Sequence, residues 1–274
     1  MKTHRTLSAL LSAALLIFAI GCDSANPDDS LDADTNASED VALSVSNLVS
    51  EDTGGLLDQM GDLFEMASVD GLEASAGKLA ERVYDETTGT WTVSFTREHG
   101  LPDSLPYATI SRVYEVQFLN GDGAPQQFFV TEGDTAYSIN FTIVEGSGTL
   151  ETPNLSAART DITGQFVATG ANTDEVTVNG TYSRSGAHTL TTENAVRTLD
   201  YDLSVEVIDL VGPRGSRRDL SQKISGTTHG TYQAQATFER GDLYHERDIN
   251  RAVTILIDDG ETTITVNGET FAAR

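Results

Sequence analysis

Beyond His4 the histidines are His99, His188, His229 and His245, and no two stand three or four residues apart, the spacing that puts two metal ligands on one face of a helix. The one cysteine, Cys22, offers no pair of thiolates, so no metal site is expected from local spacing. Asp32-Ala33-Asp34-Thr35-Asn36 imitates the start of a calcium loop, but Ala37 stands where that loop needs glycine and Leu43 where a bidentate glutamate belongs. Acyl transfer would call for a Gly-x-Ser-x-Gly elbow, which is missing. Glycoside hydrolysis needs two carboxylates facing across a cleft, and 42 acidic residues supply pairs without marking any of them. Gly146-Ser147-Gly148 lacks the lysine of a phosphate loop. The expectation is a chain without cofactor and without catalysis, a hydrolase with a dispersed site being the lesser alternative.

Two features remain. Arg214, Arg217 and Arg218, in the run Arg-Gly-Ser-Arg-Arg, form a basic knot on an acidic protein, suited to gripping an anionic group or docking an acidic neighbour. A solvated hairpin loop is the other reading. Tyr232, Ala234 and Ala236 share one strand face, and the small side chains leave room for a ligand inside a curled sheet; a helix filling that space explains them equally well.

The elements that would position these residues follow from hydrophobic period. Over 55–67, Leu56, Leu57, Met60, Leu63, Phe64 and Ala67 recur at helical spacing with Asp58, Asp62 and Glu65 on the other side, which predicts one N-terminal amphipathic helix capped by Thr53 or Ser50. From about residue 90 the period becomes two: Trp91, Val93 and Phe95; Ile110, Tyr114, Val116 and Phe118; Ile139, Phe141 and Ile143; Val176, Val178 and Tyr182; Leu199 to Val207; Val253, Ile255 and Ile257. Half-buried antiparallel strands read this way. Turn signals such as Asn120-Gly121-Asp122-Gly123 and Gly170-Ala171-Asn172 separate them, and no helical pattern alternates with them. Long strands with Gly164 and Gly180 at inward positions predict a mainly β fold, a long-stranded antiparallel sheet curled into a barrel, half-barrel or bent sandwich. The outward positions carry Thr, Ser, Asp, Glu and Gln and so form no lipid-facing band.

The chain opens MKTHRTLSALLSAALLIFAIGC, with Lys2 and Arg5 ahead of an apolar run closed by Gly21, Cys22 and Asp23. That order is a secretory signal; the run falls short of the roughly 20 apolar residues of a membrane span. Ala19-Ile20-Gly21-Cys22 resembles the lipobox of bacterial lipoproteins. The resemblance covers the signal alone and implies cleavage before Cys22, with acyl chains on Cys22 as a membrane anchor. Acyl chains contribute about 0.8 kcal/mol per buried methylene, enough for stable anchoring without contact between protein and bilayer. Asp23 resembles an inner-membrane retention signal in one convention and a surface-export signal in another, so the destination within the envelope stays open.

Without residues 1–21, which hold Lys2, Arg5 and no acid, 42 acids face 15 bases, a net charge of −27. Nucleic acid is excluded as a partner on that charge. Residues 23–77 hold no Lys or Arg, and 23–40 have almost nothing apolar to bury, so 22–50 reads as an acidic, disordered tether ahead of a single β domain over 51–274. Fourteen arginines against three lysines fit either a salty habitat or the base composition of the source. The expected protein is a bacterial cell-envelope lipoprotein held to a membrane through Cys22. Its mature part is expected to be a non-catalytic module binding an apolar small molecule or an envelope protein, the alternative being a structural or adhesive surface protein. The expected build loosely resembles lipoprotein carriers, in which helices lie over the concave face of an open half-barrel.

Overall fold

The computed structural model describes residues 33–51, 53–76, 80–101, 103–191, 195–217, 220, 223–258 and 261–272. The chain divides into Met1–Ala33 and Asp34–Arg274, and all that follows concerns the second unit. The signal and Cys22 lie outside the described residues.

Among the described residues three helices come first, α1 (Ala33–Val49), α2 (Leu56–Met66) and α3 (Gly71–Ala76). Fourteen strands follow among the described residues: β1 (Glu81–Asp85), β2 (Thr90–His99), β3 (Tyr107–Leu119), β4 (Pro125–Gln126), β5 (Val130–Thr131), β6 (Asp134–Thr135), β7 (Ser138–Glu151), β8 (Leu155–Thr169), β9 (Glu175–Thr191), β10 (Val196–Pro213), β11 (Ser225–Arg240), β12 (Leu243–Asp258), β13 (Glu261–Val266) and β14 (Glu269–Ala272). Twelve of them make one antiparallel sheet in the order β1-β2-β3-β7-β8-β9-β10-β11-β12-β13-β14, with β4 beside β3; β5 and β6 form a separate hairpin. A closed barrel is therefore ruled out, because β1 and β14 are sheet edges that do not pair with each other.

The sheet is strongly curled. Laid flat, β2 and β10 would be five strand spacings apart, about 24 Å. Yet the single carboxylate of Asp62 on α2 bonds both Arg97 on β2 and Arg217 just beyond β10. Bulges help to bend the strands: the register shifts between Thr160 and Thr163 on β8 and between Val207 and Leu210 on β10. Asp161 and Asp209 take positive φ there, a conformation that Asp tolerates better than most residues. Asn179 pins the second bulge by accepting from the Asp209 backbone N–H at 2.9 Å.

One sheet face and the helices share a single core that runs from Val93 on β2 to Val266 on β13 and includes Val41, Val45 and Leu48 of α1 with Met60, Leu63 and Phe64 of α2. Residues 33–49, which sequence places in the tether, are thus helix, and from Val41 on that helix is part of the core. Val41, Val45, Leu48 and Val49 stand at i, i+4, i+7 and i+8, a stripe that the polar composition just before them hides. α2 also differs from an ordinary amphipathic surface helix. Asp58, Gln59 and Asp62 are buried along with its apolar residues, because the sheet wraps round the side that sequence assigns to solvent. Its N-cap is Gly55, with no side-chain cap. Thr53 instead donates back to the Asn47 carbonyl at 2.5 Å, closing the end of α1.

Glycines on the inner face make room for large neighbours. A Cβ on Gly180 would stand 2.1 Å from the Gln165 carbonyl oxygen and 2.8 Å from the Phe166 Cα, both backbone atoms of β8. Gly180→Ala is accordingly expected to lower the free energy of unfolding by about 1–3 kcal/mol in urea titration. A loss within a few tenths would show that the two strands separate freely at that point.

Candidate functional site

Two buried polar clusters lie between helices and sheet. The first is built on α2. Asp62, fully buried, accepts from Arg97 Nη2 at 2.8 Å, from the Tyr114 hydroxyl at 2.8 Å and from Arg217 Nη1. Asp58, one helical turn earlier, accepts from Arg217 Nη2 at 2.9 Å. Burial pushes the Asp62 carboxyl up to about 7, against the pull of Arg97, while Asp58 adds to the rise and Arg217 and Tyr114 oppose it. Both arginines therefore end on acids of the same helix. That fixes α2 against two distant parts of the sheet at once, a positioning role.

The second cluster is unusual in its charge. Arg112 on β3, Arg159 on β8 and Arg184 on β9 are 2, 3 and 1 % exposed, and no carboxylate lies within ion-pair reach of any of them among the described residues. Arg112 gives Nη1 to the carbonyls of Ser111 and Ser147 at 2.7 and 2.8 Å and Nη2 to that of Gly54 at 3.1 Å. Arg184 gives Nη1 to the Leu48 carbonyl at 3.2 Å, at the negative end of α1. Arg159 has no such partner, and its Nε and Nη1 are buried and unbonded. Burial, and then the charge of Arg184, pull it down to about 9. His188, two residues past Gly186 on β9, is pulled down to about 4 by burial and by Arg184 and Arg159, so it is neutral at pH 7. Its ring packs edge-on against Tyr201 at 4.7 Å, and the Tyr201 hydroxyl lies beside Arg184 without a well-aligned hydrogen bond. Glycines give this cluster its space: a Cβ on Gly146 would meet Arg112 Cδ at 3.2 Å, and one on Gly186 would meet the Tyr201 hydroxyl at 2.8 Å.

Of the residues singled out from sequence, Arg214 is exposed, Arg217 turns inward to Asp58 and Asp62, and Arg218 lies outside the described residues. The loop does not bring Arg214 and Arg217 together as a grip for an external anion, because internal acids already engage Arg217. Tyr232 is fully buried and donates to Ser44 Oγ of α1 at 3.0 Å, so α1 covers that end of the face. His99, His229 and His245 are exposed on separate strands, and no group of three or more His, Cys, Asp or Glu among the described residues could hold a metal ion. No described helix is long and apolar enough to cross a membrane. A groove of about 730 Å³ is lined by outward-facing side chains such as Thr160, Asp202 and Gln233 together with Ala158, Tyr201 and Ala234.

Nothing in the sequence reading pointed to the arginine cluster, although a signal was there. Arg112 occupies the slot between Ile110 and Tyr114 in the apolar alternation of β3, and Arg184 the slot after Tyr182 in β9. A charge in phase with an apolar face is a buried charge. Comparisons with protein-family models, with curated proteins and with solved structures give no match, so the reading of this chain rests on its own residues.

Proposed function

We propose that this chain is a lipid-anchored protein of the bacterial cell envelope, held through Cys22, whose half-barrel sheet is a non-catalytic binding module. The ligand we propose is an apolar or amphiphilic small molecule on the concave face, beyond the end that the helices fill. One observation carries the ligand reading. Along the inner positions toward the far end of β8 to β11, Leu155, Leu190, Leu199, Ala236 and Phe238 are only half buried, whereas the same face beneath α1 and α2 is sealed. Register ties these side chains into one strip: Leu155 pairs with Leu190, Leu199 with Ala236, and Arg197 lies over the Phe238 ring at 5.6 Å. An apolar strip next to a packed core is the kind of surface that a hydrocarbon ligand covers.

The deciding experiment is native mass spectrometry of the mature chain with Cys22→Ser, purified gently from the envelope. A stoichiometric extra mass released by denaturation is expected. A clean apo mass would overturn the small-molecule reading and favour a structural or adhesive surface protein that works through its outward loops. The anchor has its own test. Labelled palmitate fed to the producing cells should enter the wild-type chain and not Cys22→Ser, and an unlabelled wild type would rule out lipidation.

A further inference from the structure

A buried guanidinium is costly unless paired and hydrogen bonded, because it gives up hydration that only other charges or dipoles replace. Arg112 finds the carbonyl oxygens of Ser147 on β7 and of Gly54 in the link to α2, and Arg184 that of Leu48 at the end of α1. Arg159 lies beneath the same link: its Nη1 is 3.2 Å from where a Cβ on Gly54 would stand. It is 3 % exposed, with two buried N–H-bearing nitrogens unbonded and, among the described residues, the charges of Arg184 and Arg112 acting against its own. Packing alone does not call for a third cation there. A leucine would fill the slot at no electrostatic cost.

What would complete the site is a negative oxygen group. Arg159 pairs across the ladder with Gly186, and Arg184 lies two residues from that glycine on the same inner face, so the two guanidiniums flank one spot on the sheet. His188, neutral, and the Tyr201 hydroxyl border it. Four residues from Arg159 along the same face of β8 is Leu155, about 13 Å away, at the start of the half-buried apolar strip. We infer that Arg159, with Arg184 beside it, receives an oxyanion, a carboxylate or phosphate, carried as the head group of a ligand whose hydrocarbon part lies along the Leu155 to Phe238 strip. This rests on the binding-module reading above and narrows it to an anionic amphiphile.

The test uses the mature chain with Cys22→Ser and the neutral apolar dye N-phenyl-1-naphthylamine, displaced by laurate, by dodecanol or by inorganic phosphate. Laurate is expected to displace the dye at a concentration at least about tenfold below that of dodecanol, the worth of one hydrogen-bonded charge. Arg159→Leu should raise the laurate requirement to that of dodecanol and leave dodecanol unchanged. Dye and dodecanol binding without an advantage for laurate would overturn the oxyanion assignment while leaving the binding module standing.

Absence of dye binding would instead remove the apolar ligand. The assignment would then rest on whether phosphate, against chloride at equal ionic strength, raises the melting midpoint of the wild type and not of Arg159→Leu. Such a rise would identify a free anion as the occupant, and none would overturn the site. Should Arg159→Leu fail to fold, Arg159→Lys takes its place. It keeps the charge but not the two-pronged fork, so laurate should lose part of its advantage, and unchanged competition would count against the site.

Discussion

Asp62→Ala is expected to lower the free energy of unfolding by about 3–5 kcal/mol, the cost of breaking a buried ion pair by removing one partner. The carboxylate accepts from Arg97, Arg217 and Tyr114 while fully buried. Its removal leaves a buried hydroxyl without its acceptor and weakens the hold on two guanidiniums, which Asp58 and Glu65 retain in part. Because Arg97 is on β2 and Arg217 lies beyond β10, the damage is not local: α2 loses the contact that ties both flanks of the curled sheet. Urea titration of the purified domain would measure it, and a loss below about 1 kcal/mol, the scale of a surface ion pair, would show that Asp62 is solvated and not a tie.

The same residue has a pH signature. In the fold burial lifts its carboxyl from 3.8 to about 7, and in the unfolded chain that lift is gone. Between those values the folded state holds a proton that the unfolded state does not, so stability from this group rises as pH falls from about 7 toward 4 and is lost as pH rises through 7. Asp62→Asn keeps the shape and an acceptor for Tyr114 but cannot titrate. The wild type should gain on Asp62→Asn as pH is lowered through that window. Parallel curves would mean that Asp62 stays ionised across it. Comparison within this pair matters, because lowering pH also relieves the self-repulsion of a strongly acidic chain.

Phe64→Ala should cost a similar amount, about 3–5 kcal/mol, for a different reason. The ring is fully buried under Gly212 on β10, where a glycine Cβ would come within 2.5 Å of its Cζ and 2.9 Å of Ile224 Cγ2. Gly212 is thus the hollow and Phe64 the knob that seats α2. Truncation leaves a cavity that β10 cannot collapse into without bending, since its neighbours β9 and β11 hold it over most of its length. A cost near 1 kcal/mol, with the domain otherwise native by near-ultraviolet circular dichroism, would show that α2 is loosely seated and that the space beneath it opens.

The strands were legible because alternation survives any choice of neighbours: Val93 and Phe95, or Ile139, Phe141 and Ile143, face inward in whatever sheet they join. Helix α1 was not legible, since a polar, acidic stretch leads into Val41 and only the presence of a concave face makes four apolar residues in two turns worth burying. Asp58 and Asp62 read as the wet side of a helix for the same reason. Spacing locates their face, but only the wrapping of β2 and β10 round α2 brings arginines to it.

By itself, then, the sequence determined the class of the fold, the antiparallel strands and their inward sides, since those follow from local period and turn chemistry. Tertiary structure alone decided that the sheet stays open, that two acids and two arginines meet across it, and that Arg112, Arg159 and Arg184 converge under one loop. The physical reason is distance along the chain. Asp62 meets Arg217 across 155 residues and Arg184 meets Leu48 across 136, and pairings at that separation leave no trace in local spacing.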